Sequence, residues 1–279
     1  MSDFEKQYYE SPSFWEGSAL LDEGNKIRIE ETIRSIPLDV INLADIGCGN
    51  GVFISKLMDL KPNIITTGLD RSHQALKYVK GEKKVGEITN LPFESNSFDC
   101  VSCLEVIEHL NVNDFKVALN ELSRISRKYI IIGVPFEEKI QYNKVCCPKC
   151  NSTFNRDLHL QSFNIEKLEN LFANKNFKMI KFQNVVKSNE IIGLSLFIKF
   201  KNIFSKNESI FESPICIICG YKNDSFKLDV NNIKFLENSI LNLSDKYIFN
   251  KIKEFIKRIL PTQEKNGYWA ICLYEKIVK

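Results

Sequence analysis

Between positions 40 and 135 the apolar residues of this chain follow two alternating rhythms. Short unbroken apolar runs predict strands near 42–46, 64–69, 98–103 and 129–134, with a weaker one near 84–87. Between them, apolar residues recur every three or four positions and predict helices over about 51–60, 72–80 and 113–126. Strands alternating with helices imply βαβ units and a parallel sheet. Ahead of this block, Ile29, Ile33 and Ile36 keep helical spacing behind the aromatics Tyr8, Tyr9, Phe14 and Trp15, and Pro37 ends the segment. Residues 1–36 therefore read as a helical N-terminal cap. Beyond 135 the chain leaves the core and returns twice. A helix is expected over 163–175 with Leu168, Leu171 and Phe172 buried, and a strand over 177–186. A last strand is expected over 268–278 with Trp269, Ile271, Leu273 and Ile277 on one side. The stretch 188–266 is too long for a connection and carries helical patterns at 191–205 and 231–259. It is read as a mainly helical inserted subdomain, with 1–187 and 267–279 forming the core.

The stretch Asp45-Ile46-Gly47-Cys48-Gly49-Asn50-Gly51 joins the first strand to the next helix. Glycines there permit a sharp turn and a close ligand approach, and the helix start offers free N–H groups to an anion. A dinucleotide fingerprint would place Gly or Ala at 52, where this chain has Val52. The spacing favours a smaller anion, such as an amino-acid carboxylate. Asp70 closes the next strand about 20 residues on, where an acid binds ribose hydroxyls. A carboxylate at one end and a ribose at the other describe S-adenosylmethionine.

Five segments carry a resemblance: 45–51, Gly68-Leu69-Asp70, Gly86-Glu87-Ile88-Thr89-Asn90-Leu91-Pro92-Phe93, Ser97-Phe98-Asp99 and Glu105-Val106-Ile107-Glu108-His109-Leu110. In this order, over roughly 40–135, they resemble the successive motifs of class I S-adenosylmethionine-dependent methyltransferases. The resemblance implies an α/β fold, a Rossmann-like seven-stranded sheet with helices on both faces, closed by an antiparallel hairpin of the two late strands. It implies cofactor contacts from Asp45, Gly47, Cys48, Gly49, Gly51, Asp70, Arg71, Glu87, Ile88, Cys103 and Glu105. Glu87 stands where the family commonly uses Asp to accept from the adenine amine, with Ile88 beside the ring. The N-terminal aromatics would either form a lid over the cofactor or merely cover the sheet edge. Asp99 lies inside its strand and reads as structural. Glu105 and His109, four apart at a helix start, are expected to pair.

Cys147-Pro148-Lys149-Cys150 and Cys216-Ile217-Ile218-Cys219 are two C-x-x-C knuckles able to supply four thiolates to one structural Zn²⁺, tying the insertion to the loop after the fifth strand. Cys146 is a competing ligand, and Cys48, Cys100, Cys103 and Cys272 read as small packing residues. His159 follows the first knuckle, and related methyltransferases often carry a histidine there. It is the candidate general base, with substrate ligand, metal ligand or surface residue as alternatives. His73 reads as a solvated first-turn residue.

A net charge of +3 does not by itself imply a nucleic-acid partner. No signal peptide or membrane span is expected, and nine cysteines without a secretory signal suggest metal or free thiols in the cytoplasm. The expected function is methyl transfer to a small-molecule or glycan acceptor, at oxygen. Two alternatives stand beside it. One is an RNA methyltransferase using the knuckles and Lys199, Lys201, Lys206, Lys251, Lys253 and Lys257. The other is a non-catalytic binding module on the cofactor fold.

Overall fold

The computed structural model describes residues 3–11, 15, 23–142, 144–185, 215–222 and 268–277. Seven strands form one sheet: β1 (Asn42–Ile46), β2 (Ile65–Asp70), β3 (Glu82–Val85), β4 (Phe98–Leu104), β5 (Ser126–Pro135), β8 (Phe177–Val185) and β9 (Trp269–Lys276). A separate hairpin pairs β6 (Lys144–Cys146) with β7 (Thr153–Asn155), which the hydrophobic pattern does not announce. The sheet order is β3-β2-β1-β4-β5-β9-β8, parallel through β5 and antiparallel where β9 meets β5 and β8. β1 and β4 are near-continuous apolar runs because helices cover both faces of a parallel sheet.

One face carries α2 (Glu23–Ser35) and α3 (Val52–Leu60), whose Ile29, Ile33, Phe53 and Leu57 meet Leu43, Cys100 and Ile131. The opposite face carries α5 (Val112–Ile125) and α6 (Ile165–Glu169), where Leu119, Leu122 and Leu168 pack on Val101, Ile130 and Ile132. Short α1 (Asp3–Tyr9) precedes them. Because helices cover the sheet on both sides, both faces of β9 are buried: Ile271 and Leu273 in one core, Ala270, Cys272 and Tyr274 in the other. Ile271 and Leu273 share one side as expected, the opposite side is apolar as well, and the expectation for Ile277 is corrected, since it is exposed beyond the strand.

Two helices are shorter than their periodicity suggests. The 72–80 pattern gives α4 (His73–Leu76), since Val79 must stay against the turn at Gly51 and Gly81 follows at φ 83°. The 163–175 pattern divides into α6 and a 3₁₀ turn, Ala173–Lys175. The expected helical insertion at 188–266 lies outside the described residues apart from 215–222. No described helix is long and apolar enough to cross a membrane.

Asp99 is structural, as its place inside β4 suggests. Arg127 donates to Oδ1 through Nη2 at 2.6 Å, and the N–H groups of Ile41 and Asn42 donate to Oδ2 at 3.0 and 3.3 Å. Burial opposes ionisation, but the guanidinium and the two backbone donors outweigh it and hold the carboxyl below its ordinary pKa. Asp99→Ala should cost about 1.5–3 kcal/mol at neutral pH, the usual range for hydrogen bonds to a charged group. The folded-state pKa lies below the unfolded value of about 3.9, so this stabilisation is present above that value and is lost as pH falls through the lowered one. Urea denaturation of both proteins across pH should show the difference closing only in acid.

Candidate functional site

The cavity is built where β1 ends. Gly47, Gly49 and Gly51 all have left-handed backbones, at φ 77°, 54° and 77°. The N–H groups of Gly47 and Cys48 both donate to the Leu69 carbonyl, at 2.7 and 3.0 Å. Asp70 completes the junction: Oδ2 accepts from Gly49 N–H and Oδ1 from Ser72 N–H, each at 2.8 Å. A Cβ at Gly47 would stand 2.3 Å from the Val106 side chain, and one at Gly49 would stand 2.9 Å from the Trp15 ring. No side chain caps α3, so its first N–H groups remain available to an anion.

The resulting cavity measures about 360 Å³. Of the residues expected from sequence, Asp45, Gly47, Cys48, Gly49, Asp70, Arg71, Glu87, Ile88 and Glu105 line it. Gly51 and Cys103 are not among its lining residues. Gly51 serves the backbone, since a Cβ there would come within 3.0 Å of the Val79 Cα. Cys103 is wholly buried in the core under α5. Cys48 both lines the cavity and packs with Ile54, Leu76 and Val79, whereas Cys100 and Cys272 only pack.

Arg28 of α2 is the site residue the sequence reading missed. Its guanidinium lies 3.9 Å from Glu105 Oε1 and 5.4 Å over the Trp269 ring, with the side chain 10% exposed. The available signal was a charged residue in line with Thr32 and Ser35 on the buried side of a helix. Tyr9 and Trp15 also line the cavity, with the indole N–H donating to the Tyr9 carbonyl at 2.7 Å. Glu10 accepts from the His73 N–H at 3.0 Å, which fastens this segment to the start of α4. The lid alternative for the aromatics fits this placement; Phe14 is outside the described residues.

Two buried carboxyls, Asp45 and Asp70, and the half-buried Glu105 line the same cavity. Burial pushes Asp45 up to about 7, despite a 2.6 Å hydrogen bond from the Ser102 hydroxyl. Burial likewise raises Asp70 against its two backbone donors. Glu105 is raised by burial, with Arg28 and the Trp269 indole, which donates to Oε2 at 2.8 Å, opposing. Glu105 adopts φ 56°, a backbone conformation seldom taken by residues with a Cβ, and its N–H donates to the Gly133 carbonyl at 2.9 Å. Such a wall favours a ligand carrying positive charge, and the glycine turn beside it favours one also carrying an anion. Both features fit S-adenosylmethionine.

The histidines are arranged opposite to expectation. His109 lines the cavity, but Glu105 is engaged by Trp269, and the Nδ1 of His109 has no hydrogen-bond partner. His159 is buried behind it, the two rings 4.8 Å apart, and its Nδ1 is 2.5 Å from Glu138 Oε2. Burial disfavours the charge of His159, yet the Glu138 hydrogen bond and the nearby Glu108 and Asp157 carboxylates push its pKa up to about 9. The expected solvent-near histidine with an ordinary pKa is therefore corrected: His159 is buried, paired with Glu138, and does not line the cavity.

Away from the cavity, the Sγ atoms of Cys147, Cys150, Cys216 and Cys219 lie within 4.8 Å of one another. Cys147 and Cys219 are 3.7 Å apart, as are Cys150 and Cys216. A disulfide would need about 2.05 Å, whereas a tetrahedron with bonds of about 2.3 Å has edges near 3.8 Å. The two knuckles repeat one hydrogen-bond pattern. The N–H groups of Asn151 and Gly220 donate to the Cys147 and Cys216 carbonyls, and those of Cys147 and Cys216 donate to the Ser152 and Tyr221 carbonyls. Asn151 and Gly220 share the left-handed conformation this requires. Cys146 is exposed, with its sulfur turned to the Asn151 carbonyl.

Comparison with known proteins agrees with this geometry. Residues 44–131 match the family described as "Methyltransferase domain". The chain is 30% identical over 178 residues to the uncharacterized protein MJ0638 of Methanocaldococcus jannaschii, covering 61% of this chain and 72% of that protein. It is 30% identical to a tRNA (carboxymethyluridine(34)-5-O)-methyltransferase, alkbh8, of Xenopus tropicalis, over 36% of this chain and only 16% of that one. It is 26% identical to a ubiquinone biosynthesis O-methyltransferase of Albidiferax ferrireducens, over 32% of this chain and 39% of that one. Its fold matches the crystal structure of an S-adenosylmethionine-dependent methyltransferase from Archaeoglobus fulgidus, with a TM-score of 0.54 and 16% identity over 98% of this chain and 100% of that one.

Asp70→Ala should weaken S-adenosylmethionine binding by about 1.5–3 kcal/mol. Gly47→Ala should weaken it further, because the added carbon must displace Val106 from the cavity wall. Calorimetric titration checks both, and unchanged affinity in the two variants would remove this cavity as the cofactor site.

Proposed function

This chain belongs to the class I S-adenosylmethionine-dependent methyltransferases, and we propose that it methylates a hydroxyl oxygen of a small acceptor, a metabolite or glycan. The observation that carries the reading is the glycine cradle clamped by Asp70 beside a wall of carboxyls. S-adenosylmethionine, when bound, supplies a methyl group on a cationic sulfonium. Asp70 would hold the ribose, Glu87 would accept from the adenine amine with Ile88 beside the ring, and Asp45 and Glu105 would face the positive charges. Tyr9 and Trp15 would exclude water, so that the protein's main contribution is position. His159, buried behind His109 and engaged by Glu138, is not used here as a base.

A small acceptor is favoured because Glu87, Glu105 and Asp114 line the cavity, which disfavours a phosphate backbone. Oxygen is favoured because both named relatives described above are O-methyltransferases. The tRNA acceptor of one relative supports a second reading, an RNA substrate held by the knuckles. The lysines expected to assist lie outside the described residues. The non-catalytic module has no observation in its favour. We also assign one structural Zn²⁺ to Cys147, Cys150, Cys216 and Cys219, whose spacing suits a closed four-sulfur site. Nine free cysteines accord with a cytoplasmic protein.

The full chain should be incubated with methyl-labelled S-adenosylmethionine and either metabolite and oligosaccharide pools or total tRNA. Alkali-stable label in the small-molecule fraction is the expected result. Label confined to RNA, with binding that weakens steeply with salt, would replace this reading with the second. Metal analysis should return about one zinc per chain. Cys150→Ser should speed hydrogen exchange at 215–222 more than around the glycine turn, because metal binding is coupled to local folding.

A further inference from the structure

A second group of side chains, separate from the four cysteines, is left unexplained by cofactor binding. Glu108, His109 and His159 each bring one ligand atom within 4.8 Å of the others. Glu108 belongs to the 3₁₀ turn Ile107–His109 that follows β4, and it is completely inaccessible. Among the described residues, neither of its carboxyl oxygens has a hydrogen-bond partner, and Nδ1 of His109 also lacks one. Buried polar atoms are normally paired, so three unpaired polar atoms in one cluster call for a missing partner.

The backbone shows that the cluster is built rather than accidental. The Glu108 carbonyl accepts from the N–H groups of Leu160 and Gln161, at 2.7 and 2.9 Å, which clamps the loop carrying His159 against the turn carrying Glu108 and His109. The Asn155 side-chain oxygen accepts from the His159 N–H at 3.2 Å. Glu138 engages Nδ1 of the His159 ring, leaving Nε2 as its remaining ligand atom. A carboxylate behind one imidazole nitrogen is the arrangement that orients a metal-binding histidine and raises its basicity.

We propose that Glu108, His109 and His159 hold a divalent first-row metal ion, with Glu138 as the carboxylate that positions His159. Two imidazoles and one carboxylate suit Mn²⁺, Fe²⁺, Co²⁺ or Zn²⁺ better than Mg²⁺ or Ca²⁺, which prefer oxygen shells. His109 is also part of the cavity wall, and Glu105, whose Oε1 faces Arg28 at 3.9 Å, lines the same wall. The ion would thus border the cavity and leave positions for an oxygen-bearing acceptor, such as a diol or a hydroxy acid. Only this use of the ion rests on the methyltransferase reading; binding of the ion does not.

The test uses the full chain, its cysteine site filled with zinc, titrated with Mn²⁺ and followed by electron paramagnetic resonance. About one Mn²⁺ per chain is expected to bind. Glu108→Gln and His159→Gln should weaken binding at least ten-fold, and Glu138→Gln by about 10- to 100-fold, the usual effect of removing a supporting carboxylate. Co²⁺ in the same position should show no thiolate charge-transfer band. S-adenosylmethionine titration of the same samples reports the fold and the cofactor reading separately, and Glu138→Gln serves if the Glu108 variant does not fold. Protein that binds S-adenosylmethionine but no Mn²⁺ or Co²⁺ would overturn the proposal, as would metal binding unchanged in Glu108→Gln and His159→Gln.

Discussion

The carboxylate of Asp70 joins the two strands that make the cofactor cradle. It receives the Gly49 N–H on one oxygen and the Ser72 N–H on the other, so the end of β2 fixes both the glycine turn after β1 and the entry to α4. Three of the turn's residues are glycines, with no side chains with which to set its shape. Its conformation is imposed by Asp70, by the shared Leu69 carbonyl, and by Val106 and Val79 pressing where a Cβ would be. Ser72 carries the same constraint outward, because its hydroxyl donates to the Tyr9 carbonyl at 2.8 Å. The segment over the cavity and the floor beneath it are thereby parts of one hydrogen-bonded unit.

This arrangement concentrates carboxyls that would repel one another if all were ionised. Burial raises Asp45, Asp70, Glu105 and Glu108 together, and two cations stand among them, Arg28 by Glu105 and Arg71 by Asp70. A site with this balance is held ready for positive charge and is poor at holding a second anion far from the glycine turn. The same physics accounts for the strain at Glu105. Its left-handed backbone is maintained by the Gly133 carbonyl and the Trp269 indole, from strands β5 and β9 on the far side of the turn.

Local patterns in the sequence were sufficient for the strands of the seven-stranded sheet, for α3 and α5, and for the glycine turn, because each depends on residues close in the chain. Asp99 was legible for the same reason: a charged residue within a buried strand requires partners. What depended on distant pairing was not legible. β9 lies where helices cover both faces of the sheet, so its two-sided burial cannot be inferred from its own alternation. Nothing near His159 reveals Glu138, 21 residues earlier, so it read as the free histidine while His109 read as the paired one. Cys103 and Gly51 were assigned by motif position, but strand alternation turned the first into the core and the contact with Val79 gave the second a backbone role.

The cysteine cluster and the cavity, far apart in sequence logic, are mechanically adjacent. Cys147 and Cys216 pack with Phe154 and Leu158 in one small apolar cluster. Asn155, between those two residues, accepts the N–H groups of Asp157 and His159 on a single side-chain oxygen. The next residues, Leu160 and Gln161, close on the Glu108 carbonyl. The knuckle, the loop of His159 and the turn of Glu108 and His109 therefore form a continuous chain of contacts ending at the cavity wall. The packing of Cys147 and Cys216 against Phe154 and Leu158 also limits where the His159 ring can lie, and through it the ring of His109. The four-cysteine cluster thereby reaches the cavity wall through placement alone.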